Sequence, residues 1–293
     1  MTRLFVTGAN GHLGRAVLRH LLETKGAAPA ELVAGSRDPS KLAELTARGI
    51  EARKADFDDY ESLVNAFTGL DRVLIISTDE LASPGKRITQ HRNAVAAAVE
   101  AGVKHLVYTS MPNPDRSLVS FAPDHLGTEE AIKASGLNYT ILRNAWYSDN
   151  YFASMPHNLA SGQWFTAMGD GRVSNISRDD CAKAAAVALT NPPAGNQTLT
   201  LTGPQALAAS EIAALLSEVT GKPLSVVPVS DEQLAQGIRA AGLPDFVVSM
   251  LVSADANIRA GNFDLVTDDF ETLTGAEPQT LRNFLTEHRS RFS

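Results

Sequence analysis

The chain has 293 residues, of which 44% are hydrophobic and 20% charged, values typical of a globular protein with one or two domains. Its net charge of -7 argues against a nucleic-acid-binding protein, whose binding surface is usually basic. One cysteine and the lack of any apolar run near ~20 residues exclude a disulfide framework and a membrane span, so a cytoplasmic protein is expected.

Short apolar runs alternate with amphipathic stretches through the first half of the chain. The strands are predicted at RLFVT (3–7), ELVAGS (31–36), EARKAD (51–56, more exposed), RVLIIS (72–77), HLVYTS (105–110) and NYTILR (138–143). Strands separated by helices predict parallel βαβ units, and nearly continuous apolar strands predict a sheet covered on both faces. The expected fold class is therefore α/β, with a Rossmann-type doubly wound parallel sheet.

The first predicted strand leads into VTGANGHLG (6–14), where three glycines follow one another at intervals of three. Between a strand and a helix, such glycines allow a tight turn, let the backbone approach a pyrophosphate and pack the helix on the sheet. The alternative is a glycine turn in an unrelated α/β protein. The pattern favours a dinucleotide loop formed by Gly8, Asn10, Gly11, His12, Leu13 and Gly14.

The residues after the second predicted strand indicate which dinucleotide binds. Arg37 ends the run Gly-Ser-Arg, and Lys41 follows one helical turn later. Arginine at this point accommodates a 2′-phosphate, so NADPH is the predicted cofactor, with NADH as a possible second donor. In the alternative interpretation both cations are solvated beside Asp38 and Glu44.

The third and fourth predicted strands end in further polar residues. Asp56 and Phe57 are assigned to the adenine end of the cofactor, although Asp56 fits a solvated turn nearly as well. Ser77 and Thr78 are expected to line the cofactor groove, because ligands of doubly wound folds bind at the carboxyl ends of the strands.

The pattern changes after about residue 143. Aromatic residues cluster in NAWYSDNYF, a helix is predicted at RDDCAKAAAVAL, and strands and several helices follow. We therefore predict a dinucleotide-binding domain over 1–143 and mainly a smaller, interleaved substrate lobe over 144–293, with some later segments returning to the sheet. Cys181 follows acidic residues on its helix and is predicted to be a packed residue rather than a nucleophile. No metal-ligand spacing occurs among the seven histidines.

Five segments together resemble one family: TGANGHLG, SRDPSK, KADFDD, QHRNAVAAAVEAGVKHLVYTS and LRNAWYSDNY. They are similar to the NmrA-like branch of the atypical short-chain dehydrogenases, and within it to the bacterial type 2 NAD(P)H:quinone oxidoreductases, with triphenylmethane reductase as a near relative. The resemblance implies that Asn144 meets the nicotinamide. It also implies a substrate pocket with Trp146, Tyr147 and Tyr151, which could alternatively be core residues of the second lobe.

The proton-donating pair of the wider short-chain dehydrogenase family is missing. Ser110 matches that family's serine, but the sequence has no Tyr-x-x-x-Lys, and DHLGTE places His125 and Glu129 at those positions. His125 could donate a proton or could carry no chemistry, and His91 is a weaker candidate. Ser110, His125 and Asn144 are therefore the candidate catalytic residues.

The missing pair limits the chemistry. Reduction of a simple ketone produces a strongly basic alkoxide, whereas a quinone produces a phenolate that water can protonate. We therefore expect NADPH-dependent reduction of quinones or similar aromatic acceptors by direct hydride transfer, without flavin or metal. An NmrA-like redox sensor without turnover, and a reductase of imine, azo or dye substrates, are the alternatives. A homodimer is compatible with the sequence.

Overall fold

The computed structural model describes residues 2–292, which form seven parallel strands in one sheet and two small two-stranded sheets. In chain order the strands are Leu4–Val6 (β1), Leu32–Ser36 (β2), Glu51–Lys54 (β3), Arg72–Ile75 (β4), His105–Ser110 (β5), Asn138–Asn144 (β6), Gln163–Thr166 (β7), Arg172–Val173 (β8), Gln197–Leu201 (β9), Leu207–Ala208 (β10) and Ser225–Pro228 (β11). The large sheet has the order β3-β2-β1-β4-β5-β6-β9. Because the order reverses beside β1, the fold is the predicted doubly wound sheet.

Helices connect the strands. They are His12–Arg19 (α1), Ala43–Ala47 (α2), Tyr60–Phe67 (α3), Lys86–Glu100 (α4), Ala122–Ala134 (α5), Tyr151–Ser161 (α6), Arg178–Thr190 (α7), Ala209–Thr220 (α8), Asp231–Ala240 (α9), Asp245–Arg259 (α10), Asp269–Thr274 (α11) and Leu281–Glu287 (α12). Side-chain oxygens cap several of them, for example Asp59 at α3 and Ser177 at α7. Asp38 accepts from the Ser40 N–H and begins the 3₁₀ turn Pro39–Leu42.

Apolar side chains cover both faces of the large sheet. One face packs against α1, α7 and α11, with Val17 and Ala185 fully buried. The other packs against α3, α4 and α5, where the Phe5 and Phe67 rings meet edge to face with centroids 5.2 Å apart. The edge strand β3 is largely exposed, as its weaker hydrophobicity predicted. Both faces thus contribute hydrophobic stabilisation, and the carboxyl ends of the strands remain free for a site.

A second apolar cluster lies in the C-terminal half. It is built from α6, α8, α10 and α12, with Trp164, Phe263 and Phe284 buried at its centre. Strand β11 pairs in parallel with β7, and β10 pairs antiparallel with β8. Residues beyond 143 also return to the large sheet through β9 and α7. Within residues 2–292, no helix is both long and apolar enough to cross a bilayer.

Candidate functional site

The glycine loop joins β1 to α1 in a conformation that requires glycine. Gly8 has a left-handed φ of +59°, and a Cβ on Gly14 would lie 2.3 Å from the Gly8 carbonyl oxygen. Gly11 is the residue before α1 and makes no side-chain cap, so N–H groups of the first helical turn remain available to an anion. The neighbouring Asn10 is fixed by Arg15, whose Nη2 donates to Asn10 Oδ1 at 2.8 Å. This arrangement fits a pyrophosphate.

The residues assigned to the adenosine end follow β2 and β3. Arg37 is exposed directly after β2, and Lys41, also exposed, has its Nζ 4.0 Å from Asp38 Oδ2. Asp56 accepts from the Asp58 N–H at 3.1 Å, as expected for a turn carboxylate. The Phe57 side chain belongs to the core, which leaves its backbone as the part available to a ligand.

Ser77 and Thr78, directly after β4, are held by buried side chains. The Ser77 N–H donates to Thr109 Oγ1 at 2.9 Å, and the Thr78 N–H donates to His91 Nε2 at 3.0 Å. His91 therefore carries its hydrogen on Nδ1, which lies 2.9 Å from Thr128 Oγ1. His91 is completely buried, and burial together with the Arg87 charge lowers its pKa to about 3. A neutral histidine thus fixes the loop at the edge of the site.

Ser110, at the end of β5, belongs to a buried ionic cluster. Its hydroxyl donates to Glu129 Oε1 at 2.8 Å, while Arg143 Nε and Nη2 donate to the two Glu129 oxygens at 2.8 and 2.7 Å. Desolvation opposes ionisation, but the hydrogen bonds from Arg143 and Ser110 hold the pKa of Glu129 below its usual value. Glu129 is an acceptor, so the Ser110 hydrogen is committed to it.

His125 lies one turn before Glu129 on α5 and is also buried. Arg87 Nη2 is 3.0 Å from His125 Nε2, and the Tyr108 hydroxyl is 2.8 Å from His125 Nδ1. Arginine can only donate, so Nε2 accepts and Nδ1 carries the hydrogen. Burial and the Arg87 charge lower the pKa of His125 well below its ordinary value, which keeps the ring neutral.

Aromatic side chains follow β6. Asn144 Nδ2 donates to the Tyr147 hydroxyl at 2.9 Å, and Trp146 is half-buried with its ring 5.9 Å from the Phe263 ring. Tyr151 is buried and donates to Asn175 Oδ1 at 2.8 Å. Burial raises the pKa of Tyr147 and of Tyr151, so both phenols are protonated at neutral pH.

A cleft of about 2190 Å³ brings many of these residues together at the carboxyl edge of the sheet. Its walls include the predicted residues His12, Ser77, Ser110, His125, Asn144, Trp146, Tyr147 and Tyr151. The other predicted residues do not line this cleft: they are Gly8, Asn10, Gly11, Leu13, Gly14, Arg37, Lys41, Asp56, Phe57 and Thr78. Most of these surround the glycine loop and the ends of β2 and β3, as a cofactor extending away from the cleft requires.

Sequence reasoning missed Arg87, Phe121 and Arg15. Arg87 lines the cleft although only 5% of it is exposed, and its guanidinium carbon lies 5.2 Å from the centre of the Phe121 ring. One signal was available, since Arg87 stands four residues before His91 and therefore on the same helix face. Cys181 is buried, as predicted, and burial raises its pKa. Between residues 2 and 292 no three His, Cys, Asp or Glu side chains group as metal ligands.

Known proteins match the chain over most of its length. The sequence pattern of a family described as NAD(P)H-binding matches residues 8–192. Quinone oxidoreductase 2 of Escherichia coli strain K12 is 37% identical over 269 residues, covering 92% of this chain and 91% of that protein. The NAD(P)H azoreductase of Xenophilus azovorans is 28% identical over 297 residues, covering 99% of each.

Solved structures agree with these sequence matches. The crystal structure of the Escherichia coli NADPH-dependent quinone oxidoreductase complexed with NADPH has a TM-score of 0.92 at 35% identity, covering 98% of this chain and 99% of that one. The Citrobacter sp. triphenylmethane reductase complexed with NADP(H) has a TM-score of 0.91 at 34% identity, covering 97% and 99%. The similarity thus includes the C-terminal half as well as the sheet.

Proposed function

This chain belongs to the NAD(P)H-binding family and is an oxidoreductase, and we propose that it uses NADPH to reduce quinones or similar aromatic acceptors. Bound NADPH supplies a hydride, which passes directly to the acceptor without flavin or metal. The protein contributes position and electrostatics. NADH is proposed as a second hydride donor, and its rate of oxidation is to be compared with that of NADPH.

The main support for this proposal is that the hydrogens of Ser110 and His125, beside the cleft, already have acceptors within the protein. Ser110 donates to Glu129, and the Nδ1 hydrogen of His125 is directed to Tyr108, so neither is free for an alkoxide. An alkoxide is nearly as basic as hydroxide, whereas a phenolate is a much weaker base, because a phenol has a pKa of about 10. Acceptors whose reduced form tolerates negative charge therefore suit the site better than simple ketones.

The residues present fit a dinucleotide. The uncapped start of α1 and the tight loop at Gly8 and Gly14 suit a pyrophosphate. We assign Arg37, which is exposed directly after β2, to the 2′-phosphate. Asn144 Oδ1 is buried and has no hydrogen-bond partner among residues 2–292, which suits a donor such as the carboxamide of nicotinamide. These features support NADP(H) binding with the nicotinamide at the cleft.

The aromatic wall suits a flat acceptor. Trp146 and Tyr147 line the cleft and are half-buried, so a ring can stack on them or meet their edges. Tyr151 also lines the cleft, but its hydroxyl is engaged by Asn175 and its ring packs near Trp164. We therefore assign substrate contact first to Trp146 and Tyr147, and a supporting contact to Tyr151.

The test is anaerobic, flavin-free oxidation of NADPH with a panel of small quinones, following the hydroquinone product as well. Loss of NADPH should match hydroquinone one for one. Trp146→Ala and Asn144→Ala should lower kcat/KM, while Tyr139→Ala, at the opposite end of β6, should not. Binding of NADPH without turnover across the panel would contradict the proposal and favour an NmrA-like redox sensor.

Reduction of azo compounds or dyes is a second candidate activity. It is favoured by the similarity to the azoreductase and to triphenylmethane reductase, both of which cover nearly the whole chain. A cationic triarylmethane dye accepts hydride at carbon and needs no proton. Its reduction is therefore not hindered when Ser110 and His125 have no free hydrogen to donate. Including an azo dye and a cationic dye in the same panel measures this activity directly.

A further inference from the structure

Two buried polar atoms on residues that line the cleft have no hydrogen-bond partner within residues 2–292. One is the acceptor Oδ1 of Asn144, and the other is the donor Nη1 of Arg87. Buried polar groups are almost always satisfied, and an unsatisfied one is costly unless a ligand supplies its partner. The cleft therefore offers one acceptor near β6 and one cationic donor beside α4 and α5.

Contacts on three sides hold the Arg87 guanidinium in place. Its Nε donates to the Thr78 carbonyl oxygen at 2.8 Å, its Nη2 donates to His125 Nε2 at 3.0 Å, and its central carbon lies over the Phe121 ring. The nearest carboxylate, Asp124, is 3.7 Å from Nη1, which is too long for a hydrogen bond. Arg87 is thus a pre-positioned charge whose third nitrogen is unused.

Three other donors on the cleft wall already have acceptors. Ser110 donates to Glu129, Tyr151 donates to Asn175, and His125 directs its hydrogen to Tyr108. Arginine does not lose its proton in proteins, so Arg87 cannot act as an acid. It can stabilise a negative charge that develops on an oxygen close to Nη1.

We propose that Arg87 Nη1 forms an oxyanion site for the acceptor oxygen that gains charge during reduction. This inference rests on the proposed quinone reduction. The hydride brings two electrons to the quinone, NADPH becomes NADP⁺, and the monoanion of the hydroquinone results. One proton from water then completes the hydroquinone, so no protein acid is needed. Arg87 thus stabilises the negative charge on the reduced acceptor, whereas the missing tyrosine and lysine would remove that charge by donating a proton.

The site selects acceptors by charge. A quinone becomes more negative as it accepts hydride, so a fixed cation stabilises its transition state more than its ground state. A cationic triarylmethane dye becomes neutral, so the same cation gives it no such advantage. Removal of the charge should therefore separate the two classes of acceptor.

The direct test is the binding of 4-nitrophenol to the protein saturated with NADP⁺, followed by the absorbance of its phenolate. Wild type should lower the apparent pKa of bound nitrophenol by about 1–3 units, as a cation at contact distance does. Arg87→Gln should abolish this shift and Arg87→Lys should keep part of it. An unchanged shift in Arg87→Gln, or no shift in wild type, would overturn the inference.

Kinetics provide the second test. Arg87→Gln should lower kcat/KM for a benzoquinone on the order of 100-fold, as loss of an oxyanion donor does, and leave reduction of a cationic dye unchanged or faster. Arg72→Gln is the matched control. Arg72 is the first residue of β4, at the end away from the cleft, and donates to the backbone carbonyls of Leu189 and Thr190. NADPH affinity and the melting temperature show whether each variant is folded.

The outcomes separate the two proposals. Equal losses for quinone and dye in Arg87→Gln would assign Arg87 a structural role and overturn the inference while quinone reduction stands. If wild type reduces no quinone, the proposed function fails, and the nitrophenol shift still decides whether Arg87 binds an oxyanion.

Discussion

The Ser110 hydroxyl donates its hydrogen to the Glu129 carboxylate across 2.8 Å, at the point where β5 reaches the cleft. Glu129 has no exposed surface in its side chain and receives two further hydrogen bonds from Arg143. The serine oxygen therefore presents lone pairs, rather than a hydrogen, to any ligand. Ser110 can therefore accept a hydrogen bond from a ligand, whereas a serine that assists carbonyl reduction donates one to the substrate.

Ser110→Ala should accordingly change kcat/KM for a small quinone by less than about tenfold. Removal of a general acid costs about a hundredfold or more, and Ser110 has no hydrogen free for that role. Steady-state kinetics at saturating NADPH measure the effect, with Thr46→Ala on α2 as a hydroxyl control away from the site. A loss above a hundredfold with unchanged NADPH affinity would show that the serine does act as the proton donor.

Cofactor preference depends on Arg37 if our assignment of the 2′-phosphate is right. Arg37→Glu should weaken NADPH binding about 10- to 100-fold and leave NADH binding nearly unchanged, because one charge-assisted contact to a phosphate is lost. Titration with each dinucleotide measures both affinities. Lys25→Glu makes the same change in net charge at another exposed position and is the control. An unchanged preference for NADPH would show that Arg37 does not recognise the 2′-phosphate.

Two glycine substitutions should have opposite effects on stability. In Gly14→Ala the new Cβ would meet backbone atoms of Gly8 and Ala9, so the unfolding free energy should fall by about 1–3 kcal/mol and NADPH binding should weaken. In Gly237→Ala, inside α9, the new Cβ meets nothing within 4 Å, so the protein should gain about 0.5–1 kcal/mol. Urea unfolding measures both values. Similar stabilities for the two variants would show that the glycine loop can adjust.

The sequence located the large sheet well because its strands are short, apolar and separated by helices. The run His105–Ser110 is β5 at the predicted bounds. Strand β4 ends two residues earlier than predicted, at Ile75, because the N–H groups of Ile76 and Ser77 donate to threonine side chains rather than to backbone carbonyls of a neighbouring strand. The family resemblance drawn from the five segments is confirmed by the matches to the quinone oxidoreductase and to triphenylmethane reductase.

The small sheets and part of the site could not be located from sequence. Strands β8 and β10 have two residues each and pair across 34 residues of chain, so tertiary packing rather than local pattern determines them. Arg87 near the start of α4 would be expected on a solvated surface, but contacts with Thr78 after β4 and with His125 on α5 bury it. The division of the chain at residue 143 and the individual site assignments stay predictions.

The buried neutral state of His91 predicts how stability depends on pH. In the folded protein its pKa is about 3, because of burial and the Arg87 charge, whereas an unfolded histidine has a pKa near 6.5. Between these values the unfolded chain binds a proton that the folded chain does not, so stability falls as pH falls, by up to about 1.4 kcal/mol per unit. From pH 6.5 to pH 5, wild type should lose about 1.6 kcal/mol more than His91→Gln, whose amide oxygen can still accept from Thr78. Urea unfolding at pH 6.5 and at pH 5 measures these losses. The control His157→Gln, at an exposed histidine, should lose as much stability as wild type. Equal losses in wild type and His91→Gln would contradict the prediction.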